Sequence, residues 1–173
     1  MASTGRRAFT VAMTQMDGWL DALTVATAVG CGLMGGVFLA FSSFVMTGLR
    51  RLPPAQSVAA MQAMNASVPA SLFGFVFLAT AAACLALVVV AVAGWGDAEA
   101  VPLLVGAGLY LGGNIALTAG FHIPRNNALD AVDADGPEAP AAWARYVRPW
   151  LAGNHVRTLA CTAATAVLVT AVA

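Results

Sequence analysis

The sequence contains no lysine, and charged residues make up only 9% of its 173 positions. Soluble domains carry about 25% charged residues, so this chain lacks the side chains of an ordinary water-exposed surface. Its arginines are balanced by an equal number of acidic residues, which gives a formal net charge of zero. A nucleic-acid-binding protein is excluded, because it needs a basic surface that displaces counterions.

Cysteines and catalytic signatures are equally scarce. Cys31, Cys84 and Cys161 each lie inside an apolar stretch, and none forms a CxxC pair. This pattern argues against a disulfide framework or a zinc site and predicts buried packing residues. No P-loop, HExxH or GxSxG motif occurs, so no metal ligands are predicted from a motif.

Hydrophobic residues, by contrast, make up 60% of the chain. That excludes disorder and predicts an integral membrane protein. We predict an all-α, four-helix transmembrane bundle in residues 20–173, after an N-terminal tail in residues 1–19. Because a bilayer core takes about 20 apolar residues as helix, the four spans are predicted at about residues 22–48, 70–95, 100–121 and 150–172.

Two of the connections between spans are long enough to hold helices. Pro54 can occupy the first position of a short interfacial helix near residues 54–66. Within residues 122–149, one helical face would carry Trp143, Tyr146 and Val147. That spacing predicts an amphipathic helix on the membrane surface that leads into span four.

Arginine positions orient the predicted bundle. The long loops carry five arginines, whereas the terminal side carries only Arg6 and Arg7. The positive-inside rule therefore places both long loops in the cytoplasm and both termini outside. We accordingly predict a multi-pass protein of the plasma (inner) membrane.

Two GxxxG motifs lie in the predicted spans. Gly32 and Gly36 form one in span one, and Gly108 and Gly112 form the other in span three. Small residues at this spacing let helices approach closely in lipid. The motifs predict either packing within the bundle or a homodimer.

Polar residues inside the spans form two stripes. Intramembrane polar groups are costly, so their positions indicate where a site lies. Span three carries one stripe at every fourth residue, made of Tyr110, Asn114, Thr118 and His122. Span four carries Asn154, His155 and Arg157. We predict that the stripes meet in a polar pocket that the 122–149 loop closes.

Arg157 and His155 each allow more than one interpretation. Arg157 either anchors a loop through backbone carbonyls or Asp130, or binds an anion or enolate oxygen. His155 is a structural histidine, a general acid or base, or a metal or haem ligand. Together with His122 it would make a minimal haem or copper site.

Three segments share a recognisable pattern. They are GGVFLAFS at 35–42, FHIPRNNAL at 121–129, and Trp143 and Trp150 followed by NHVRT at 154–158. Together they resemble the anthrone oxygenase-like integral membrane family, formerly a domain of unknown function. Its fungal members oxidise anthrones to anthraquinones in polyketide pathways.

The resemblance implies a membrane-embedded oxygenase or oxidoreductase-like protein that acts on an anthrone-like or other hydrophobic aromatic substrate. It implicates five residues, which are Pro124, Asn126, Asn154, His155 and Arg157. The chain departs from the family pattern at His122, where Asn is expected, and at Asn127, where an acid is expected. The missing acid argues against a base mechanism that depends on a carboxylate there.

The implied chemistry needs a base, an oxyanion partner and an apolar aromatic pocket. We predict His155 as the base and Arg157 or Asn154 as the oxyanion partner, with no cofactor. The predicted substrate-binding residues are Asn114, Thr118, His122, Asn126, Tyr110 and Trp150, with Trp143 as a further aromatic wall. The rival interpretations are a haem or copper oxidoreductase using His122 and His155, and a non-catalytic permease or partner subunit.

Overall fold

The computed structural model describes the backbone of residues 2–172 and the side chains of residues 18–172. Every named element of this part of the chain is helical, which confirms the all-α prediction. The α-helices are α1 Ala2–Ala40, α2 Met46–Leu49, α3 Pro54–Ser67, α4 Leu72–Ala93, α5 Ala100–Tyr110, α6 Ile123–Asp130 and α7 Ala139–Thr170. Most of the predicted N-terminal tail falls on residues whose side chains lie outside this description.

Three π-helical stretches lie within the long helices. Phe41–Val45 joins α1 to α2, while Leu111–Ala116 and Thr118–His122 lie between α5 and α6. A π-turn inserts an extra residue into the helical ladder and frequently marks a functional site. Here the three π-helical stretches lie in two long helical segments, residues 18–49 and 100–130.

Three helical segments are long and apolar enough to cross a membrane, within the residues described. They are Gly18–Leu49, Leu72–Ala93 and Ala100–Asp130, and they contain most of the first three predicted spans. These segments identify a membrane protein. Helix α7 is not among them, because Asn154, His155 and Arg157 lower the hydropathy of its second half.

Helix α7 packs against both α1 and α5. Cys31, Cys84 and Cys161 are free and fully buried in the core that these helices share with α4. Tyr110 and Leu168 belong to the same core. The predicted packing role of the cysteines therefore agrees with where they lie.

Close helix approach depends largely on glycines outside the GxxxG motifs. A Cβ at Gly35 would lie 3.3 Å from the Cys161 Cβ, and one at Gly106 would lie 2.6 Å from the Leu168 side chain. Of the motif glycines, Gly32 faces Thr165 at 3.6 Å. A Cβ at any of the other three, Gly36, Gly108 and Gly112, would meet no described neighbour within 4 Å. The homodimer stays a prediction.

A second core closes one end of the bundle. Trp143, Tyr146 and Trp150 of α7 pack there against Val58 and Met61 of α3. Helix α7 is continuous from Ala139 to Thr170, even though it contains a proline. Its aromatic face therefore packs on other helices, whereas we had predicted a helix lying on the membrane surface.

Candidate functional site

The polar residues converge where α1, α7 and the π-helical stretches between α5 and α6 meet. Asn154 is fully buried there. Its Nδ2 donates hydrogen bonds to the Phe38 carbonyl at 2.7 Å and to Ser42 Oγ at 2.8 Å, and its Oδ1 accepts from Arg157 at 2.7 Å. Both amide N–H groups and the amide oxygen are in use, so Asn154 holds the arginine in place.

Arg157 is buried among neutral and aromatic groups, with 7% of its surface exposed. One terminal nitrogen donates to Asn154, and the other lies 3.4 Å from Thr118 Oγ1. The guanidinium stacks 4.3 Å from the centre of the Phe38 ring. Its Nε has no hydrogen-bond partner among the described residues. A buried donor without a partner is rare in folded proteins.

The alternative interpretation, an anchor to Asp130, does not describe this arginine. Asp130 Oδ1 instead accepts a hydrogen bond from Asn65 Nδ2 at 3.3 Å. Because the partners of Arg157 are an amide and a hydroxyl, its charge is not neutralised by those contacts.

His122 lies at the end of a π-helical stretch and is almost fully buried. Its ring meets Trp150 edge to face at 5.3 Å and Phe121 at 5.4 Å between centroids. Within the described chain, neither ring nitrogen has a hydrogen-bond partner. Such a buried group is rare unless a ligand or water satisfies it.

Gly153 makes room for this histidine. A Cβ at position 153 would lie 2.8 Å from His122 Nε2 and 2.7 Å from the Phe121 ring. No real Cβ approaches other atoms so closely, so the side chain of any other residue would displace His122.

Asn126 holds Trp150, the aromatic residue that both Arg157 and His122 contact. Its Oδ1 accepts hydrogen bonds from Tyr146 Oη at 2.8 Å and from Trp150 Nε1 at 3.1 Å. Burial raises the pKa of Tyr146, so its phenol stays protonated and keeps this bond at neutral pH. Trp150 in turn lies 5.4 Å from the Arg157 guanidinium.

These residues line a cavity of about 720 Å³, which we call the inner cavity. Its remaining walls are mainly aromatic and apolar, and they include Phe38, Phe41, Phe73, Phe77, Met61 and Met64. Its volume and lining are typical of a site for a small molecule. Val37, Leu78 and Ile123 line it as well and are exposed on the outside of the bundle. The inner cavity therefore reaches the apolar outer surface.

Six of the predicted site residues line the inner cavity, namely Thr118, His122, Asn126, Trp150, Asn154 and Arg157. Two others do not. Tyr110 is fully buried and donates a hydrogen bond to the Phe77 carbonyl at 3.0 Å. Asn114 is fully buried too, and its amide has no hydrogen-bond partner among the described residues.

His155 lies elsewhere. It is exposed and lines a separate surface groove together with Arg50 and Trp143. The structure thus keeps the two histidines apart, and the predicted base is outside the inner cavity. A haem or copper ion bound by His122 and His155 together gains no support from this arrangement. Among the described residues, no group of three or more His, Cys, Asp or Glu could hold a metal ion.

Sequence reasoning missed the contribution of α1. Phe38 and Ser42 accept hydrogen bonds from Asn154, and the Phe38 ring stacks on Arg157, although we expected the stripes of spans three and four to pair with each other. The aromatic run at 35–42 was the available signal, because it places Phe38, Phe41 and Ser42 within about one helical turn.

One comparison with known proteins gives a match. The family model described as anthrone oxygenase matches residues 68–167, which is more than half of the chain. The match runs from the end of α3 into α7 and includes Thr118, His122, Asn126 and Arg157. No curated protein and no solved structure matches the chain.

Proposed function

This chain belongs to the anthrone oxygenase family, and we propose that it is a membrane-embedded oxygenase acting on an anthrone or a similar hydrophobic, enolisable aromatic ketone. One observation carries the proposal. The inner cavity combines a buried guanidinium that has an unused N–H with a buried imidazole that has no hydrogen-bond partner. Most of the other walls of the cavity are aromatic or apolar, and Asp130 is the one acidic residue among the described residues that line it.

The proposal includes a fourth membrane crossing by the second half of α7. This half packs between α1 and α5, which belong to segments able to span a bilayer. Its most polar side chains, Asn154 and Arg157, face inward and are buried. Polar groups that face a bundle interior are tolerated in membranes. We propose a four-helix bundle in the plasma membrane, with both long loops in the cytoplasm.

The shape of the inner cavity favours a flat apolar substrate. Phe38, Phe73, Phe77 and Trp150 offer faces on which fused aromatic rings stack. Val37, Leu78 and Ile123 connect the cavity to the lipid-facing surface. A hydrophobic ketone dissolved in the bilayer would therefore reach the site laterally, without passing through water.

The proposed first step is a proton transfer. The benzylic methylene of an anthrone lies across the ring from its carbonyl, so loss of a proton there gives an enolate. His122 takes this proton, and the free N–H of Arg157 donates to the enolate oxygen. Asn154 keeps the guanidinium in position through its 2.7 Å hydrogen bond.

The second step uses O₂ as the only oxidant. The electron-rich benzylic carbon forms a C–O bond with O₂ and gives a hydroperoxide after protonation. Loss of water from that hydroperoxide leaves a carbonyl, so one oxygen atom enters the product and the other leaves as water. The methylene is oxidised by four electrons, and O₂ is reduced by four.

Oxidation of unsubstituted anthrone by the purified protein tests the proposal. Formation of anthraquinone is followed by absorbance, O₂ uptake is followed in parallel, and the spontaneous rate without protein is subtracted. We expect catalysed oxidation that incorporates one ¹⁸O atom from ¹⁸O₂. His155→Gln serves as the control that retains activity, because His155 lies outside the inner cavity.

Two results would contradict the proposed oxygenase activity. If anthrone binds to the protein but oxidises only at the spontaneous rate, the chain is a binding or transport protein. If anthrone does not bind at all, the inner cavity serves a different class of ligand.

A further inference from the structure

A second cavity lies on the outside of the bundle and has no part in the proposed reaction. It is a groove of about 670 Å³, which we call the outer groove. Three of its lining side chains are basic or titratable nitrogen groups, Arg50, Arg148 and His155. The rest are apolar or aromatic, and no acidic residue of the described chain lines it.

The basic groups of the outer groove are arranged at two depths. Arg148 and His155 are seven residues apart on α7, so they share one face and are separated by about 10 Å along the helix axis. Leu151 and Ala152 occupy the face between them. Arg50 ends α2, whose Met46 and Leu49 share a core with Val147 and Trp150 of α7.

We propose that the outer groove binds an anionic diacyl phospholipid. Arg50 and Arg148, both exposed, bind the phosphate at the level of the headgroups. His155 donates a hydrogen bond to an ester carbonyl deeper in the bilayer. Val147 and Leu151 contact the upper part of an acyl chain.

The two depths distinguish a phospholipid from a free anion. The Cα atoms of Arg148 and His155 are about 10 Å apart along the helix axis, so a ligand with two acceptor groups at different depths, a phosphate and an ester carbonyl, suits both side chains better than one phosphate does. The surface between the two levels is apolar, which suits a glycerol backbone and an acyl chain and does not suit a second anion. Anionic headgroups are attracted to arginines near the membrane surface. The charge of the groove therefore complements an anionic headgroup better than a zwitterionic one.

Native mass spectrometry of the purified full chain tests this inference. The protein in detergent is incubated with phosphatidylglycerol or phosphatidylcholine at equal concentrations, and the fraction that retains one lipid is measured. We expect phosphatidylglycerol to be retained preferentially. Arg50→Gln combined with Arg148→Gln should lower that retention on the order of ten-fold or more, and His155→Leu should lower it by roughly three-fold.

Arg145→Gln is the matched control, because Arg145 is exposed on α7 but lines a different cavity. It should retain phosphatidylglycerol like the wild type. Equal retention of both lipids, or unchanged retention in the double variant, would overturn the inference. Competition by inorganic phosphate at the concentration of the lipid would show a free-anion site and would overturn it too. Melting temperatures of the variants establish that they are folded.

Discussion

The inner cavity and the outer groove each combine a histidine with arginine, yet their surroundings differ. Arg157 and His122 are buried, and their neighbours are an amide, a hydroxyl and aromatic rings. Arg50, Arg148 and His155 are exposed. In a buried site each electrostatic interaction is stronger than in water, and each unused hydrogen-bonding group is costly. Burial therefore separates a site suited to chemistry from one suited to binding.

One helix contributes to both sites. His155 and Arg157 are two positions apart on α7, which places them about 200° apart around the helix axis. Arg157 consequently faces the inner cavity, while His155 faces the outer groove. Substitutions at these two positions compare the sites within one short segment of chain.

The largest effect is expected at Arg157. Arg157→Gln should lower the anthrone oxidation rate by about 10²–10³-fold, because it removes the charged donor for the enolate oxygen. Arg148→Gln removes the same charge from the outer groove and should leave the rate within about two-fold of the wild type. The measurement is the oxidation rate per amount of folded protein, and melting curves establish that each variant is folded.

Arg157→Lys separates donor geometry from charge. Lysine keeps a cation but lacks the planar fork that reaches Asn154 and Thr118 together, so most of the activity should still be lost. If Arg157→Gln folds and oxidises anthrone at the wild-type rate, Arg157 has only a structural role and the proposed mechanism is wrong.

The next largest effect is expected at His122. His122→Gln should lower the rate by roughly 10²-fold, which is typical for loss of a general base. His155→Gln should not change the rate. The reverse pattern would restore His155 as the base and would require a substrate position outside the inner cavity. Rates at saturating anthrone distinguish a loss of turnover from a loss of binding.

Much of the fold was predictable because hydropathy and helical period are local properties. The apolar lengths located the first three spans, and the four-residue spacing placed Thr118 and His122 on a common face. The continuous α7 was not predictable in the same way. Its aromatic residues fit a membrane surface as well as a protein core. The aromatic face lies in a core because α3 and α6 pack against it, and the local sequence of α7 does not indicate that packing.

The site was harder to predict because its contacts join distant parts of the chain. Asn154 bonds to Phe38 and Ser42, more than a hundred residues earlier, and no local pattern indicates that pairing. His155 looked like the base because the family motif includes it, although the helical rotation separates it from Arg157. The departure of His122 from the family pattern looked incidental, yet its ring lines the inner cavity.

A smaller effect is expected at Gly153. Gly153→Ala places a Cβ 2.8 Å from His122 Nε2, so the imidazole must move and the rate should fall by roughly ten-fold. The melting temperature should fall as well, since overpacking costs about 1–3 kcal/mol. Gly36→Ala is the control, because a Cβ there has no neighbour within 4 Å. Equal rates in both variants would show that the position of His122 does not matter.

The smallest effect is a partial rescue of activity. It tests whether a residue at a second position of the inner cavity can replace His122 as the base. His122 and Asn127 line the same cavity, and the family pattern has Asn and an acid at these two positions. His122→Asn should be nearly inactive. Adding Asn127→Asp places a carboxylate at position 127 of the cavity wall and should raise the rate by roughly a few-fold, far less than the histidine contributes.

Ala128→Asp is the matched control for this rescue, because it adds the same charge one residue further along but does not line the inner cavity. It should not raise the rate of the His122→Asn variant. A carboxylate at position 127 is more exposed than His122, so its basicity should be nearer that of a carboxylate in water and its proton transfer less effective. Equal gains from both acids would indicate a general charge effect, whereas a gain from Asn127→Asp alone would show that two positions in one cavity can supply the base.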